Sequence, residues 1–481
     1  MPPTDPPPPP PPHPAEGPPA QRLRVLVAGA TGFVGQALLA ALGPEVERIG
    51  VARRAPTGGS ADGVQWRAAD LFNLKEAERA LQGVDVAVYL VHSMLPQARL
   101  TQARFEDLDL ICADNFARAC AAQGVRRVVY LGGLLPRGSA PLSRHLASRL
   151  EVEGALAAHG ASVTTLRAGL IIGAGGSSFE MMSRLVRRLP VMVAPRWSAT
   201  RSQPIALDDV LPLLRLAIAE PALAGQAYDI GGPDVVSYAD MLRATGRALG
   251  RRVRVLTLPV RTANLSLLWV SAITGASQAL VRPLVESLDH DMVVTDGGAL
   301  QRRAGHSPRP LAVAIAEAFA DEARRPAAPA RPAGPPPRAV CSVQRLPLPP
   351  GRDAAFVAAA YLRWLPEALG PLLRVSVVPD PAGERCRFGL VGLRAPLLEL
   401  QRAPERSAPD RQLFYVTGGL LAAAPVEGGP KARLEFRVAL GGEVVLAAVQ
   451  DFVPRLPWVV YRLTQGPVHL VVMRAFGRVL G

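Results

Sequence analysis

A glycine-rich turn near the amino end constrains the fold of this sequence more than any other feature. Residues 24–28 are a short apolar run, and three glycines follow at intervals of three before a helical pattern begins. The first glycine permits a tight turn, the second lets backbone amides approach a pyrophosphate, and the third lets helix and strand pack closely. Because the triplet lies between a strand and a helix, it predicts a dinucleotide-binding βαβ unit. The residues assigned to this loop are Gly29, Thr31, Gly32, Phe33, Val34 and Gly35.

Strand and helix patterns alternate along the first half of the sequence, which favours an α/β fold with a doubly wound, parallel Rossmann sheet. After about residue 175 the pattern loosens, and we expect a small second lobe that places substrate over the cofactor. The predicted strands are 24–28, 48–52, 64–69, 85–91, 127–131 and 163–172. The predicted helices are 34–42, 73–81, 100–123 and 143–159.

The sequence of 481 residues is too long for one ordinary domain. Residues 1–21 form a proline-rich tail, and a Pro/Ala-rich linker over 326–338 separates the Rossmann region, 22–325, from a block over 339–481. That block has strand patterns followed by one apolar terminal helix, which predicts a separate α+β domain. Its predicted strands are 373–378, 412–417, 433–440 and 443–452, and its predicted helix is 458–480.

The end of the second predicted strand discriminates between the two nicotinamide dinucleotides. NAD-binding folds place an acidic residue there, about 20 residues after the loop, to hold the ribose hydroxyl. This sequence has Arg53 and Arg54 instead, and guanidinium groups pair well with a phosphate. The cofactor is therefore expected to be NADP(H) in preference to NAD(H). Asp70, which precedes Leu71, either reaches the adenine edge or caps the helix that follows.

The glycine loop, the Asp70-Leu71 pair and the strand that ends at His92 resemble the short-chain dehydrogenase/reductase superfamily over residues 22–325. That family works with a Ser, a Tyr and a Lys, and this sequence lacks all three at the matching positions. Gly132 replaces the Ser, His145 the Tyr and Arg149 the Lys. Arg149 can bind a ribose but cannot shuttle a proton, whereas a histidine can act as an acid near neutral pH. His145 is accordingly either a catalytic acid or an ordinary helix-surface residue.

Several short sequence segments resemble one part of this superfamily, an atypical bacterial subgroup that keeps the dinucleotide loop and lacks the standard active site. They are Tyr89–Ser93, Tyr130–Leu134, Ser143–Arg149, Ser178–Glu180, Leu189–Met192, Pro195–Trp197, Arg201–Ile205 and Gly231–Asp234. Broader relatives include NmrA-like regulators and the NADPH-binding accessory subunit of respiratory complex I. Residues 339–481 are similar to helix-grip, START-like domains, which implies a sheet and terminal helix that cup an apolar ligand.

The second lobe concentrates polar and apolar side chains in a region that should face the cofactor. A polar pocket is predicted from Arg196, Arg201 and Gln203 together with His92, Ser93 and His145. Its apolar lining is predicted from Phe179, Met181, Met182 and Trp197. Asp208 and Asp209 are interpreted as a helix cap.

Composition excludes some other classes of function. The net charge of +14 comes almost wholly from scattered arginines, so we expect no nucleic-acid partner, although weak contact with anionic lipid is compatible with it. The four cysteines have no metal-ligand spacing, which predicts reduced thiols, no metal site and a cytoplasmic protein without a signal peptide. Residues 262–281 are uncharged but contain several polar side chains, so a buried helix is favoured over a membrane span.

Three kinds of function remain open. The first is an NADP-dependent oxidoreductase with a substituted active site, at His145 and Arg149, that acts on an apolar quinone, lipid or isoprenoid. The second is a non-catalytic NADP(H)-binding sensor or assembly factor, since Ser, Tyr and Lys are absent together. The third is a lipid-handling protein at the membrane periphery, in which the nucleotide is structural. The sequence predicts no oligomeric state.

Overall fold

The computed structural model describes residues 22–54, 63–92, 100–138, 141–257, 282, 285–325, 339–381, 383–423 and 431–481. Four predicted features lie outside these residues: the proline-rich tail, the linker over 326–338, Ser93, and the apolar stretch over 262–281.

Strands and helices alternate through the first 325 residues, as the sequence predicts. The strands are β1 (Leu23–Ala28), β2 (Val46–Ala52), β3 (Val64–Ala68), β4 (Val86–Tyr89), β5 (Leu100–Gln102), β6 (Arg127–Gly133), β7 (Ser162–Ala168), β8 (Ile171–Ile172), β9 (Val191–Ala194), β10 (Arg201–Ser202), β11 (Ile205–Ala206), β12 (Ala227–Ile230), β13 (Val236–Ser237) and β14 (Arg254–Thr257). The helices are α1 (Phe33–Ala41), α2 (Leu74–Ala80), α3 (Phe105–Gln123), α4 (Arg144–Ala157), α5 (Ser177–Arg188), α6 (Leu207–Ala219), α7 (Tyr238–Ala248), α8 (Ala299–Arg303) and α9 (Leu311–Arg324).

Seven strands form a parallel sheet in the order β12-β7-β6-β4-β1-β2-β3. Every neighbouring pair in this sheet is parallel. The direction of winding reverses beside β1, where a Rossmann sheet opens its dinucleotide crevice at the carboxyl ends of the strands. The predicted α/β class and Rossmann sheet are confirmed.

Among the described residues, the second lobe consists of short strand pairs and the helices that pack on them. The pairs are β8 with β11, β9 with β14 and β10 with β13. Helices α5, α7 and α9 share one apolar core with them, around Phe179, Met241 and Ile315. This lobe stands beyond the end of β7 and is therefore positioned over the carboxyl edge of the main sheet.

The C-terminal region has a second, mostly antiparallel sheet. Its elements are β15 (Val340–Pro347), α10 (Ala354–Ala368), β16 (Leu373–Asp380), β17 (Gly383–Leu390), β18 (Leu398–Arg402), β19 (Arg411–Gly418), β20 (Arg433–Ala439), β21 (Val444–Phe452), α11 (Trp458–Leu463) and α12 (Gln465–Leu480). The sheet order is β16-β17-β18-β19-β20-β21-β15-β5. The four predicted strands are present as β16, β19, β20 and β21. Strands β15, β17 and β18 and helix α10 were not predicted from the sequence.

Two predicted helices need correction. Residues 100–123 are not one helix: residues 100–102 form β5, which pairs with β15, and α3 begins only at Phe105. Pairing with a strand far along the chain overrides the local helical pattern. Residues 458–480 are likewise two helices, because Thr464 lies between α11 and α12 with φ −119° and ψ −81°. No described helix is both long enough and apolar enough to cross a membrane.

The second sheet is covered on both faces. On one face Val343, Leu446 and Ala448 join the apolar core that includes α3. On the other, aromatic rings from α10, β20 and α12 fill the space: Tyr361 lies 5.4 Å from Phe436 and 5.1 Å from Phe476, measured between ring centroids. The START-like assignment of this region stays a prediction.

Ion pairs fasten the two sheets together through α3. Arg345 of β15 donates to Asp107 of α3 at 2.9 Å and to Glu151 of α4 at 2.8 Å. Arg437 of β20, which is buried, donates to Asp114 of α3 at 2.7 Å. Helix α3 is therefore bound to the C-terminal sheet through the carboxylates of Asp107 and Asp114.

Candidate active site

The glycine turn has the geometry that a dinucleotide loop requires. Gly29 has φ +83°, and a Cβ there would lie 2.8 Å from the carbonyl oxygen of Leu90. A Cβ at Gly35 would lie 2.3 Å from the carbonyl oxygen of Gly29, so only glycine lets α1 approach the turn this closely. Gly32 is the N-cap of α1, and no side chain in the described residues caps that helix. The first amides of α1 are thus available to an anion.

The other loop residues divide between the surface and the second lobe. Thr31 is exposed, and Val34 is half-buried against the core of the main sheet. The ring of Phe33 lies against the loop after β8, since a Cβ at Gly173 would be 2.8 Å from it. The loop therefore contacts the lobe that would cover a bound nucleotide.

Arg53 and Arg54 are exposed directly after β2, at the edge where the adenosine half of a dinucleotide would lie. Arg53 lowers the pKa of Asp70 electrostatically, although burial raises it more strongly. Asp70 accepts a hydrogen bond from the backbone N–H of Phe72 at 3.1 Å. The cap of α2 is Asn73 rather than Asp70, so the capping alternative for Asp70 is wrong.

The side chain of Leu71 is buried in the apolar core, so only its backbone could contact a bound cofactor. Its carbonyl oxygen accepts a hydrogen bond from the side-chain amide of Asn115 at 2.8 Å. Asn115 thus fixes the loop after β3, a role that the sequence analysis missed.

A buried charged cluster lies where β4, α3 and α4 meet. The Arg149 Nη2 atom is 2.6 Å from Asp109 Oδ2 and 2.6 Å from His92 Nδ1. Asp109 Oδ2 is also 2.8 Å from His92 Nδ1. These two contacts of Nδ1 require opposite tautomers of His92, because the Arg149 guanidinium can only donate to a bare Nδ1, whereas the Asp109 carboxylate can only accept from an Nδ1–H. Burial, followed by Arg149, lowers the pKa of His92, although Asp109 opposes this.

His145 lies beside this cluster, with its ring centroid 5.2 Å from that of His92. Burial, His92 and Arg149 together lower the pKa of His145 to about 3. The free protein therefore holds this ring neutral at neutral pH, which disfavours the expected role of an imidazolium acid. A neutral imidazole still has one N–H that can donate a hydrogen bond.

Three buried polar atoms of this cluster have no hydrogen-bond partner among the described residues: His92 Nε2, His145 Nδ1 and Arg149 Nε. Buried polar groups without partners are uncommon because each costs free energy. All three belong to side chains that meet near the carboxyl ends of β4 and β6, where this fold binds its ligands.

An apolar cavity of about 250 Å³ opens from His145 into the second lobe. Gly133, rather than Gly132, lines it at the end of β6, because neighbouring residues of a strand face opposite sides. Met181, Met182 and Trp197 line it as predicted. The remaining lining residues are Leu146, Ala168, Gly169, Leu170, Ser178, Leu185, Tyr238, Leu242, Val285, Ser287, Leu288 and Met292.

The predicted polar pocket is wrong in most of its members. Arg201 is exposed and pairs with Asp291, and Gln203 donates to the carbonyl oxygen of Gly232. Neither these two nor Arg196 lines the cavity. The ring of Phe179 packs against Phe319 in the core of the lobe instead. The cavity is accordingly more apolar than the sequence indicates.

Asp208 and Asp209 lie in the first turn of α6, whose N-cap is Ala206, so the capping interpretation is wrong. Asp209 is fully buried and accepts hydrogen bonds from the backbone N–H of Arg309 at 2.8 Å and from its side chain. It joins α6 to the segment that leads into α9.

Neither Tyr130 nor Tyr238 has the lowered pKa of the catalytic phenol that the resemblance leads one to expect. Tyr130 is buried and donates to the carbonyl oxygen of Arg149 at 3.1 Å, and burial raises its pKa to about 12. Tyr238, which the sequence analysis did not single out, lines the cavity, and burial raises its pKa to about 12 as well. Both phenols stay protonated at neutral pH. Within the described residues no three His, Cys, Asp or Glu side chains group as metal ligands.

Residues 29–171 match a protein family described as NAD(P)H-binding. This part of the chain is an NAD(P)H-binding Rossmann domain. The match begins at the first glycine of the turn and ends after β7, so it contains the loop, the charged cluster and His145. The predicted dinucleotide-binding domain is confirmed over these residues.

Curated relatives align with the NAD(P)H-binding domain at modest identity. Auxiliary protein GraX of Staphylococcus aureus is 33% identical over 112 residues, which are 23% of this chain and 36% of GraX. The chain thus spans about a third of the length of that relative. UDP-glucose 4-epimerase of Vibrio cholerae is 22% identical over 259 residues, which are 49% of this chain and 79% of the epimerase.

Solved structures of similar fold cover 62% of the chain. The Escherichia coli NADPH-dependent quinone oxidoreductase QOR2, in complex with NADPH, aligns with a TM-score of 0.49 at 17% identity, over 62% of this chain and all of that one. The Citrobacter sp. triphenylmethane reductase complexed with NADP(H) aligns with a TM-score of 0.48 at 18% identity, over 62% of this chain and 99% of the reductase.

Proposed function

We propose that this protein is an NADP(H)-dependent oxidoreductase that acts on a small apolar substrate, such as a quinone or lipid, without the Ser-Tyr-Lys set. The observation that carries this proposal is the apolar cavity that opens from His145 and Gly133 at the carboxyl edge of the parallel sheet. In this fold a substrate lies at that edge, over the nicotinamide end of the cofactor.

The residues present fit the cofactor. A Cβ at Gly29 or Gly35 would clash with the backbone of the turn, and the turn leads into helix α1, which has no side-chain cap. In addition, one buried polar atom each of His92, His145 and Arg149 has no hydrogen-bond partner among the described residues. A ligand with hydrogen-bonding groups at one end and an anionic centre would satisfy both. When bound, the nicotinamide supplies or accepts a hydride.

Arg149 does not line the cavity, but its side chain packs behind Gly133, which does, and so it supplies a positive charge behind the cavity wall. Asp109 holds its guanidinium from one side, and Arg149 cannot lose its proton. Such a preorganised charge stabilises negative charge that develops on a substrate oxygen during reduction. His145, held neutral, contributes a hydrogen-bond donor in the cavity wall rather than a proton.

The described residues place no strong proton donor at the cavity, which favours a quinone over a simple ketone as the substrate. Reduction of a ketone leaves a strongly basic alkoxide, which needs a side-chain acid at once. Reduction of a quinone leaves a weakly basic hydroquinone anion that can take its proton from water. A site with a fixed cation and a neutral imidazole is therefore better suited to the second reaction.

Arg53 and Arg54 support NADP(H) as the cofactor. Both side chains are exposed at the carboxyl end of β2, where this fold places the adenosine ribose. Guanidinium groups bind a phosphate through charge-assisted hydrogen bonds.

The test is oxidation of NADPH by the purified protein in the presence of a panel of quinones. We expect steady oxidation that falls at least about tenfold in Arg149→Met, given the worth of a charge-assisted hydrogen bond. Arg144→Met, on the same helix but exposed and paired with Glu106, controls for the loss of a helix charge, and the melting temperature of Arg149→Met is measured beside it because Asp109 loses its buried partner. Tight NADPH binding without oxidation across the panel would refute the enzyme and favour the alternative, a non-catalytic NADP(H) sensor or assembly factor. The low pKa of His145 is the observation that keeps this alternative open.

A further inference from the structure

The terminal helices α11 and α12 expose an unusual set of apolar side chains. Val459, Leu463, Val468 and Val471 have between 55% and 68% of their surface in contact with solvent. Single exposed valines are ordinary on a protein surface, but a cluster on two consecutive helices marks an interaction surface. We call these four residues, with Val460 and Val479, the terminal apolar face.

The opposite side of α12 is already occupied. Val472, Met473 and Phe476 are buried in the core of the C-terminal domain, where Phe476 packs edge-on against Tyr361. The residues of the terminal apolar face therefore make no contribution to the apolar core of the domain. Residues at positions 468, 471, 475 and 479 follow a spacing of three or four, which places them along one side of the helix.

Arginines flank the terminal apolar face. Residues 453–481 contain Arg455, Arg462, Arg474 and Arg478 and not one aspartate or glutamate. All four arginines are exposed, and none forms an ion pair within the part of the chain that the structure describes. Arg474 and Arg478 are one turn apart and are three and seven residues after Val471, so they border the apolar stripe of α12.

We infer that the terminal apolar face docks on an anionic lipid surface. Helices that lie in a membrane interface combine exposed aliphatic side chains with basic residues that attract acidic headgroups. A second copy of this chain fits less well. A two-fold interface would set the same face against itself, and its arginines would meet other arginines with no carboxylate from residues 453–481 to separate them. This inference does not depend on the proposed enzymatic activity.

Docking on a membrane would also bring the apolar cavity close to substrates that are dissolved in the lipid. An oxidoreductase of quinones or lipids must obtain its substrate from a membrane, because such molecules are sparingly soluble in water. The C-terminal sheet is fastened to α3 by Arg345 and Arg437, so a surface-bound terminal face would hold the whole chain at the bilayer.

The test is sedimentation of the full chain with vesicles. We expect binding to vesicles of phosphatidylcholine with about 30% phosphatidylglycerol, weakened by salt, and at least about tenfold weaker binding to phosphatidylcholine alone. Replacing Leu463→Asp and Val471→Asp together should lower binding about tenfold or more, as should Arg474→Glu with Arg478→Glu. Both pairs are exposed, so we expect each variant to fold, and circular dichroism checks this.

Matched controls come from the second lobe. Val313→Asp replaces a valine that is 42% exposed on α9, and Arg247→Glu with Arg252→Glu reverses two exposed charges. These variants should bind vesicles as the wild type does. Failure of the wild type to bind anionic vesicles, or wild-type binding by both variant pairs, would overturn the inference. A concentration-dependent dimer that Leu463→Asp dissociates would overturn it too, because a second copy would then cover the face.

Discussion

Asp109 of α3 accepts a 2.6 Å hydrogen bond from Nη2 of Arg149 on α4, and both side chains are buried. Removing one member of a buried ion pair leaves the other charge uncompensated, at a cost of about 3 kcal/mol. We therefore predict that Asp109→Ala lowers the melting temperature markedly, as measured by thermal denaturation.

The double variant Asp109→Leu with Arg149→Met separates stability from function. Apolar replacement of a whole buried pair is often neutral for stability. We expect it to recover most of the lost melting temperature while NADPH oxidation stays low. Recovery of oxidation together with stability would show that Arg149 has only a structural role.

Gly35→Ala should weaken NADPH binding at least about tenfold, as measured by calorimetric titration. Its Cβ would lie 2.3 Å from the carbonyl oxygen of Gly29, so the turn must shift away from α1. Gly154→Ala is the control, since a Cβ there meets nothing within 4 Å in the middle of α4. Alanine also favours the helix at this position, so Gly154→Ala should bind NADPH normally. Equal binding by both variants would contradict the placement of the dinucleotide on this turn.

Replacing Arg53 and Arg54 by alanine should weaken binding of NADPH more than that of NADH. Each charge-assisted hydrogen bond to a phosphate contributes roughly 1.5–3 kcal/mol, so the loss for NADPH should be about tenfold or more. Parallel titrations with the two cofactors measure the difference. An equal loss for both would refute the assignment of these arginines to the extra phosphate.

The activity should change little between pH 5 and pH 8. His145 has a pKa lowered to about 3, first by burial and then by His92 and Arg149, so its protonation state is constant over this range. A pH profile of kcat/KM tests this. A limb near pH 6.5, lost in His145→Phe, would contradict the low pKa, because it would show that His145 titrates as an ordinary imidazole before the substrate binds and acts as an acid.

Acid should destabilise the C-terminal sheet through Glu435. Burial alone raises the pKa of this carboxyl, but Arg437 and Arg411 outweigh burial and lower it to about 2. Since this is below the unfolded value of about 4.3, the stabilisation is complete above that value and is lost as the pH falls towards 2. Melting temperatures between pH 7 and pH 3 should therefore drop below pH 4–5, and Glu435→Gln should flatten that drop. An unchanged drop in Glu435→Gln would assign the acid sensitivity to other carboxylates.

Local pattern was sufficient to predict the Rossmann core and its loop. Gly29 and Gly35 each have a steric role that shows in their spacing, and buried parallel strands read as apolar runs. The strand at residues 100–102 could not be predicted, because it pairs with β15 some 240 residues away. The break at Thr464 had a signal in Gly466 and Pro467, since proline belongs in the first turn of a new helix.

The candidate site was harder to predict than the fold. Asp109 stands in the apolar run of α3, and its position there gives no sign that it faces Arg149. Arg201 and Gln203 are close to Trp197 in sequence, yet neighbouring positions point in different directions, and only Trp197 lines the cavity. The low pKa of His145 could not be predicted either. It arises from burial and from His92, Arg149 and Asp109, which come from three separate elements of the fold.

The structure of the complex with NADPH tests the central claim most directly. We expect the pyrophosphate at the amino end of α1 and the nicotinamide between Gly133 and His145, with its reactive face towards the apolar cavity at about 3–4 Å from a bound quinone. A nicotinamide that points to solvent, or that is separated from the cavity by the His92–Arg149 cluster, would contradict the account.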